Sequence, residues 1–237
     1  MILPSDGFTT YGVRDSQELI SALNKVYEGD IIILEPGKYS GNFTAIRNGT
    51  QANPITIVGP QEAVLSHEDN YGFHLKANYW ILKGFSVTRA KIGVVLDYAN
   101  FNVIDNLTVF DIDQEGIHLR FGSSDNLIKH CHIYNLGTAR PGYGEGIYIG
   151  QSWHSWVNMT LDRCDRNHII QNYIGPDVRG ESIDIKEGTC CGLIEGNILN
   201  GQGMTGIHFD DAWIDMKGEK YLIQNNYGFA TSKDGFW

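Results

Sequence analysis

The chain has 237 residues, and 18 Lys and Arg against 28 Asp and Glu leave a formal net charge of −10. Such a field repels nucleic acid, and no apolar run approaches the roughly 18 to 20 residues of a membrane span, so neither is expected as a partner. An anionic polymer would have to be met by local cations or a metal ion.

Reading from the N-terminus, Asp15-Ser16-Gln17-Glu18 supplies helix-capping residues, and Leu19, Ile20, Leu23 and Val26 recur at helical spacing. This predicts one amphipathic helix over residues 16–27, placed to cap the open end of a stack of strands. Ile31 to Leu34 reads as a buried strand and Pro36-Gly37-Lys38-Tyr39 as a turn. From Ile55 onward two phrases alternate. One is Ile81-Leu82-Lys83, Val103-Ile104-Asp105, Leu127-Ile128-Lys129, Ile169-Ile170-Gln171, Leu193-Ile194-Glu195 and Leu222-Ile223-Gln224. The other is a glycine or serine followed by alternating apolar residues, as in Gly72-Phe73-His74-Leu75, Gly93-Val94-Val95-Leu96, Gly116-Ile117-His118-Leu119, Gly146-Ile147-Tyr148-Ile149 and Ser182-Ile183-Asp184-Ile185.

Short strands recurring every 20 to 30 residues or so must stack to bury their apolar faces, which marks a solenoid. The expected fold is all-β, a single-stranded right-handed parallel β-helix forming one domain over 1–237. Successive copies of the first phrase lie 22, 24, 42, 24 and 29 residues apart, so the long interval predicts a protruding loop within 134–164. Its aromatic residues, Trp153 and Trp156 among them, either fold onto the wall or meet a ligand. Near the C-terminus, Trp213-Ile214-Asp215-Met216-Lys217 matches the Asp184 phrase better than Gly206-Ile207-His208-Phe209 does. It is therefore placed in the stack, and the chain ends at Asp234-Gly235-Phe236-Trp237 where a further coil should begin.

Strand alternation then assigns an outer column of His74, Val95, His118, Tyr148, Asp184 and Asp215, flanked by Lys76, Asp97, Arg120, Gly150, Lys186 and Lys217. Corner acids Glu115, Glu145 and Glu181 precede the strands. They repel one another unless Lys186, Arg179 or Arg120, a shared proton, or a cation such as calcium compensates them. Cys131, Cys164, Cys190 and Cys191 lack zinc-site spacing, so disulfides or buried thiols are expected. His130 and His132 lack a third metal ligand, which favours hydrogen bonding at a corner. Acceptor tripeptides at Asn42, Asn48, Asn106 and Asn158, with the even cysteine count, tilt the reading towards a secreted, extracellular glycoprotein.

The segments Gly29-Asp30-Ile31-Ile32-Ile33-Leu34-Glu35-Pro36-Gly37-Lys38-Tyr39 and Gly49-Thr50-Gln51-Ala52-Asn53-Pro54-Ile55-Thr56-Ile57 resemble the opening of secreted right-handed parallel β-helix proteins of the pectin-lyase-like kind. Among these is the polysaccharide lyase family of chondroitinase B and alginate lyases. Residues 183–189 and 211–218 are also similar to microbial β-helix proteins of unassigned activity. In the lyase family a corner Glu of a calcium site lies five residues before a catalytic Lys, and Glu181 and Lys186 match that spacing. The resemblance implies that Lys186 abstracts the proton beside a uronate carboxylate while Glu181 and Glu145 hold calcium. Arg179 departs from it, standing where a second acidic ligand is expected.

These readings combine into a lyase that cleaves an acidic, uronate-containing polysaccharide by β-elimination. Lys186 is the base, Tyr148 or His118 the proton donor, Arg120, Lys217, Lys76 and His208 the substrate-binding groups, and Asp184 and Asp215 orient the lysines. The alternatives are a glycoside hydrolase using paired acids, Asp184 with Asp215 or Asp210 with Asp211, and a non-catalytic carbohydrate-binding or adhesive wall protein in which the charges form only a surface ladder.

Overall fold

The computed structural model describes residues 7–139, 143–206 and 212–237. The first phrase forms a nine-stranded sheet. Its strands Trp80–Lys83, Val103–Asp105, Leu127–Lys129, His168–Ile170, Leu193–Glu195 and Leu222–Gln224 follow one another in strict stacking order. Every pair is parallel, and Ile104, Ile128, Ile169 and Ile194 sit in register. Each of those isoleucines is fully buried, so one column of side chains runs up the interior.

The second phrase builds part of a fourteen-stranded sheet through Ile117–Arg120, Ile147–Ile149, Ile183–Ile185 and Ala212–Met216. Ile183 pairs with Ile214 and Asp184 with Asp215, so the Trp213 segment occupies the stack as expected. Asp234–Phe236 then pairs with Ala212–Met216, so the last residues themselves supply the next strand.

Each coil also carries a third strand that the two phrases do not announce. Thr108–Ile112, His132–Leu136, Tyr173–Ile174, Ile198–Asn200 and Tyr227–Phe229 stack in parallel on the same sheet. Asparagines mark its entry. Asn172 Oδ1 accepts from the Cys131 amide, Asn197 Oδ1 from Asn172 N and Asn226 Oδ1 from Asn197 N, while a separate ladder, in which Asn167 accepts from the Asn126 amide, stands at the entry of the first-phrase strands. A corner backbone that leaves the sheet ladder must find other partners, and stacked amides supply them in a dry interior.

Residues Ser16–Lys25 form the helix, with Asp15 accepting from the Glu18 amide as its N-cap and Leu19, Ala22 and Leu23 buried. It ends two residues before the expected boundary because Val26 is already extended in ψ. The long interval holds two insertions, since His132–Leu136 and Ile147–Ile149 both keep their places in the stack. Short 3-10 turns at Trp153–Ser155 and Val157–Met159 shape the second insertion, whereas Pro141 and Gly142 lie outside the described residues. Among the described residues, no helix is long and apolar enough to cross a membrane.

Candidate active site

The parallel register carries one column of side chains across successive coils: His74 beside Val95, Val95 beside His118, then Tyr148, Asp184 and Asp215. Alternation correctly points these side chains away from the helix interior, yet His118, Asp184 and Asp215 are only 6%, 1% and 4% exposed. They lie under further layers of protein. Trp153 and His154 from the second insertion and Trp237 from the last strand wall a cavity of about 430 Å³ around Glu145, Tyr148, Asp184, Lys186, Asp215 and Lys217. A period-two pattern reports which face of a strand a residue occupies; it carries no information about what a distant segment lays over that face.

Inside this cavity two lysines share two aspartates. Lys186 Nζ lies 2.5 Å from Asp184 Oδ2, and Lys217 Nζ lies 3.4 Å from Asp184 Oδ1 while also pairing with Asp215. Burial works against the Lys186 ammonium, but the Asp184 carboxylate more than reverses it and holds this lysine above its ordinary range. Lys217 is held below its own, because burial and the neighbouring Lys186 charge outweigh Asp184. Lys186 Nζ also sits 4.9 Å from the Tyr148 ring centroid. Burial, then the Asp184 and Glu145 charges, push the Tyr148 phenol up, so it keeps its proton at neutral pH.

Beneath the lysines the corner acids stack as the coils do. Gly116 N donates to Glu145 O and Gly146 N to Glu181 O, each at 2.9 Å. One carboxylate oxygen from each of Glu145, Glu181 and Asp184 lies within 4.8 Å of the others. Two of the expected neutralising groups are elsewhere: Arg179 donates to Asn135 Oδ1 and Leu136 O, and Arg120 pairs with Asp97. Desolvation first, and then the Glu115, Asp184 and Glu181 charges, raise Glu145 well above the usual carboxylate range. Glu181 is pushed up to about 8, by burial and then Asp184. Glu145 Oε2 is buried with no hydrogen-bond partner among the described residues. A dry cluster of hard oxygen donors with an unsatisfied lone pair fits a calcium ion.

The remaining sequence candidates divide. His118 lies beneath Tyr148 in edge contact, centroids 4.4 Å apart, with Nε2 3.0 Å from Gly150 O. Burial and the Arg120 charge lower it to about 3, so it is a neutral, packed imidazole that supports Tyr148. Arg120 is drawn into a separate cluster, its guanidinium bidentate on Asp97 while His74 Nε2 contacts the same carboxylate at 2.8 Å. Lys76 is exposed and follows His74 on the same coil, away from the lysine pair. His208, Asp210 and Asp211 lie outside the described residues. His130 is held at a corner by Asp105 and Gln171. Cys190 and Cys191 are joined as a disulfide, and Cys131 and Cys164 are buried thiols. Sequence reasoning left the Trp153–Trp156 segment open between wall and ligand and passed over Glu187 and Trp237 as site residues, because only the fold brings the second insertion and the chain end to the Lys186 coil.

Residues 7–159 match the family described as the Pel9A-like, right-handed beta helix region. The chain belongs to this family. Solved structures superimpose on it closely: an alginate lyase from Paenibacillus sp. str. FPU-7 is 41% identical, with a TM-score of 0.89 over 93% of this chain and 76% of that one. Pectate lyase Pel9A, at 17% identity and a TM-score of 0.73 over 92% of this chain and 62% of that one, shares the fold. Pectate lyase L of Dickeya chrysanthemi is 25% identical over 155 residues, 55% of this chain and 36% of its own length. The chain thus spans little more than a third of the curated relatives that it matches. These likenesses establish the right-handed β-helix expected from the repeats.

Proposed function

We propose that the protein is a polysaccharide lyase that cleaves a uronate-containing polymer by β-elimination, with an alginate-type chain as the first substrate to test. The observation that carries this reading is the convergence of Lys186, Tyr148, Glu145 and Asp184 on one walled cavity, with Glu181 within 4.8 Å of the last two. The alginate and pectate lyases to which the chain is similar support it.

In the reaction, Lys186 in its amine form takes the C5 proton of the uronate. The C4–O bond breaks, its electron pair leaves with the glycosidic oxygen, and a C4–C5 double bond remains. Tyr148 carries the proton that the departing oxygen needs. Asp184 and Asp215 hold the lysine chains in place, and Lys217 faces the substrate carboxylate. Glu145, Glu181 and Asp184 would hold a calcium ion, which when bound offsets the charge developing on that carboxylate and draws on the same Asp184 charge that keeps Lys186 protonated. Extracellular placement belongs to the same reading, since a large polymer supplied from outside does not cross a membrane.

Asp184 and Asp215 both pair with Lys217. A glycosidase needs its two acids free to act as acid and as base or nucleophile, and the shared lysine engages both, which favours elimination over hydrolysis. The deciding assay follows ultraviolet absorbance of unsaturated product on alginate, pectate and glycosaminoglycans, with and without calcium. Absorbance that disappears in Lys186→Ala is expected. Reducing ends without absorbance would establish hydrolysis, and binding without either product would establish a carbohydrate-binding wall protein.

A further inference from the structure

The second insertion lines two cavities. Ser152, Trp153 and His154 face the one at Lys186, whereas Gln151, Trp156 and residues 160–163 face a larger one of about 700 Å³ whose far wall is Tyr98 and Phe121. That volume lies in the range of about 300 to 1,000 Å³ typical of small-ligand sites. We propose that the larger cavity is a second sugar-binding site, taking a uronate ring of the same polysaccharide at a distance from the bond that is cut.

Three features suit that ligand. Tyr98 stacks on Phe121, ring centroids 5.2 Å apart and 15° from parallel, yet Tyr98 remains 65% exposed. An aromatic face left open in a concavity offers an apolar seat to the C–H face of a sugar. Arg163 is exposed at the rim and has no ion pair among the described residues, in a molecule whose net charge is −10. A guanidinium at the mouth of an apolar cavity is suited to bidentate pairing with a carboxylate. The walls are also built in advance. Asp162, buried, accepts from Phe121 N, Gly122 N and Gln151 Nε2 at 3.0, 2.7 and 3.0 Å, pinning the insertion to the Tyr98–Phe121 corner. Trp156 donates to Gln151 O and packs beside Gly188, two residues from Lys186, so the two cavities share a wall and one polymer can reach both.

This site rests on the uronate-polymer reading, and its test separates the two. Uronate trisaccharides and octasaccharides from alginate and from pectate are titrated into Lys186→Ala protein by calorimetry, with Tyr98→Ala, Tyr98→Phe and Arg163→Gln each added to it. Octasaccharide Kd should rise about three- to tenfold in Tyr98→Ala, the size of one lost stacking contact, and return in Tyr98→Phe. Arg163→Gln should weaken the octasaccharide similarly, while trisaccharide turnover in Tyr98→Ala with Lys186 intact stays near wild type. Equal octasaccharide affinity across all variants, at native circular dichroism, overturns the second site even if unsaturated product is formed. Absence of product from every polymer overturns the lyase reading even if Tyr98 governs binding.

Discussion

At the scale of single residues, the cavity is defined by how charges are compensated. Under the proposed elimination Lys186→Ala and Tyr148→Phe each remove a proton-transfer group, so unsaturated-product formation should fall about 10²- to 10⁴-fold in either, with native circular dichroism retained. Product formation within a factor of a few of wild type would remove that residue from the chemistry. If the cluster holds calcium as proposed, calcium should raise the melting temperature of the wild-type protein and Glu145→Gln should abolish that rise, because the unpartnered Glu145 oxygen is the cluster's free donor. A calcium-induced shift that persists would place the ion elsewhere. His118 gives a pH signature of its own. Its folded pKa, near 3, lies below its ordinary value of 6.5. The unfolded chain therefore binds the proton first, and the contribution is complete above about 6.5 and lost as pH falls towards 3. Urea unfolding of wild type and His118→Gln should differ in slope across that window by up to about 1.4 kcal/mol per pH unit, and parallel curves would show the imidazole to be solvated.

At the scale of elements, the coils are fastened at their corners as much as along their strands. Asn167 is fully buried; its side chain accepts from Asn126 and donates to Ser123 O and Cys164 O. Asn167→Ala would strand those partners in the interior, at a cost of about 1–3 kcal/mol for each unsatisfied group. Gly116 shows the same tightness sterically. A Cβ there would stand 2.6 Å from Gly146 O and 2.9 Å from an Ile133 methyl carbon, so Gly116→Ala should destabilise by about 1–3 kcal/mol through displaced backbone. Chemical denaturation reads both, and a loss under about 0.5 kcal/mol would mean that the corners relax freely. The glycine that opens the second phrase is thus a packing requirement between coils, as it is at Gly93 and Gly146, where an added Cβ would stand 2.4 Å from Gly116 O and 2.5 Å from Ser182 O.

At the scale of the whole molecule, an excess of acids surrounds a cavity whose two lysines are themselves paired with aspartates. For a polyanionic substrate, the long-range field opposes approach while Lys186 and Lys217 act only at close range. Turnover at low polymer concentration should therefore rise as salt is added from about 10 to 100 mM, where the screening length shortens from roughly 30 to 10 Å. A steep fall over that range would show local cations dominating capture. How much of this molecule was legible in its sequence depends on the same separation of near and far. The repeated Ile and Gly phrases determined the solenoid, its register and the Tyr148–Asp184–Asp215 column, because stacking identical short strands admits one way of burying their apolar alternation. The third strand of each coil was missed since its entry asparagines also read as ordinary turn residues. Burial of the column, the walling of the cavity by Trp153 and Trp237, the partition of Arg120 to Asp97 and the convergence of Glu145, Glu181 and Asp184 were decided only by the tertiary structure. Those features depend on where insertions and the chain end fall in space, and side-chain periodicity within a strand says nothing about segments that are not part of the period.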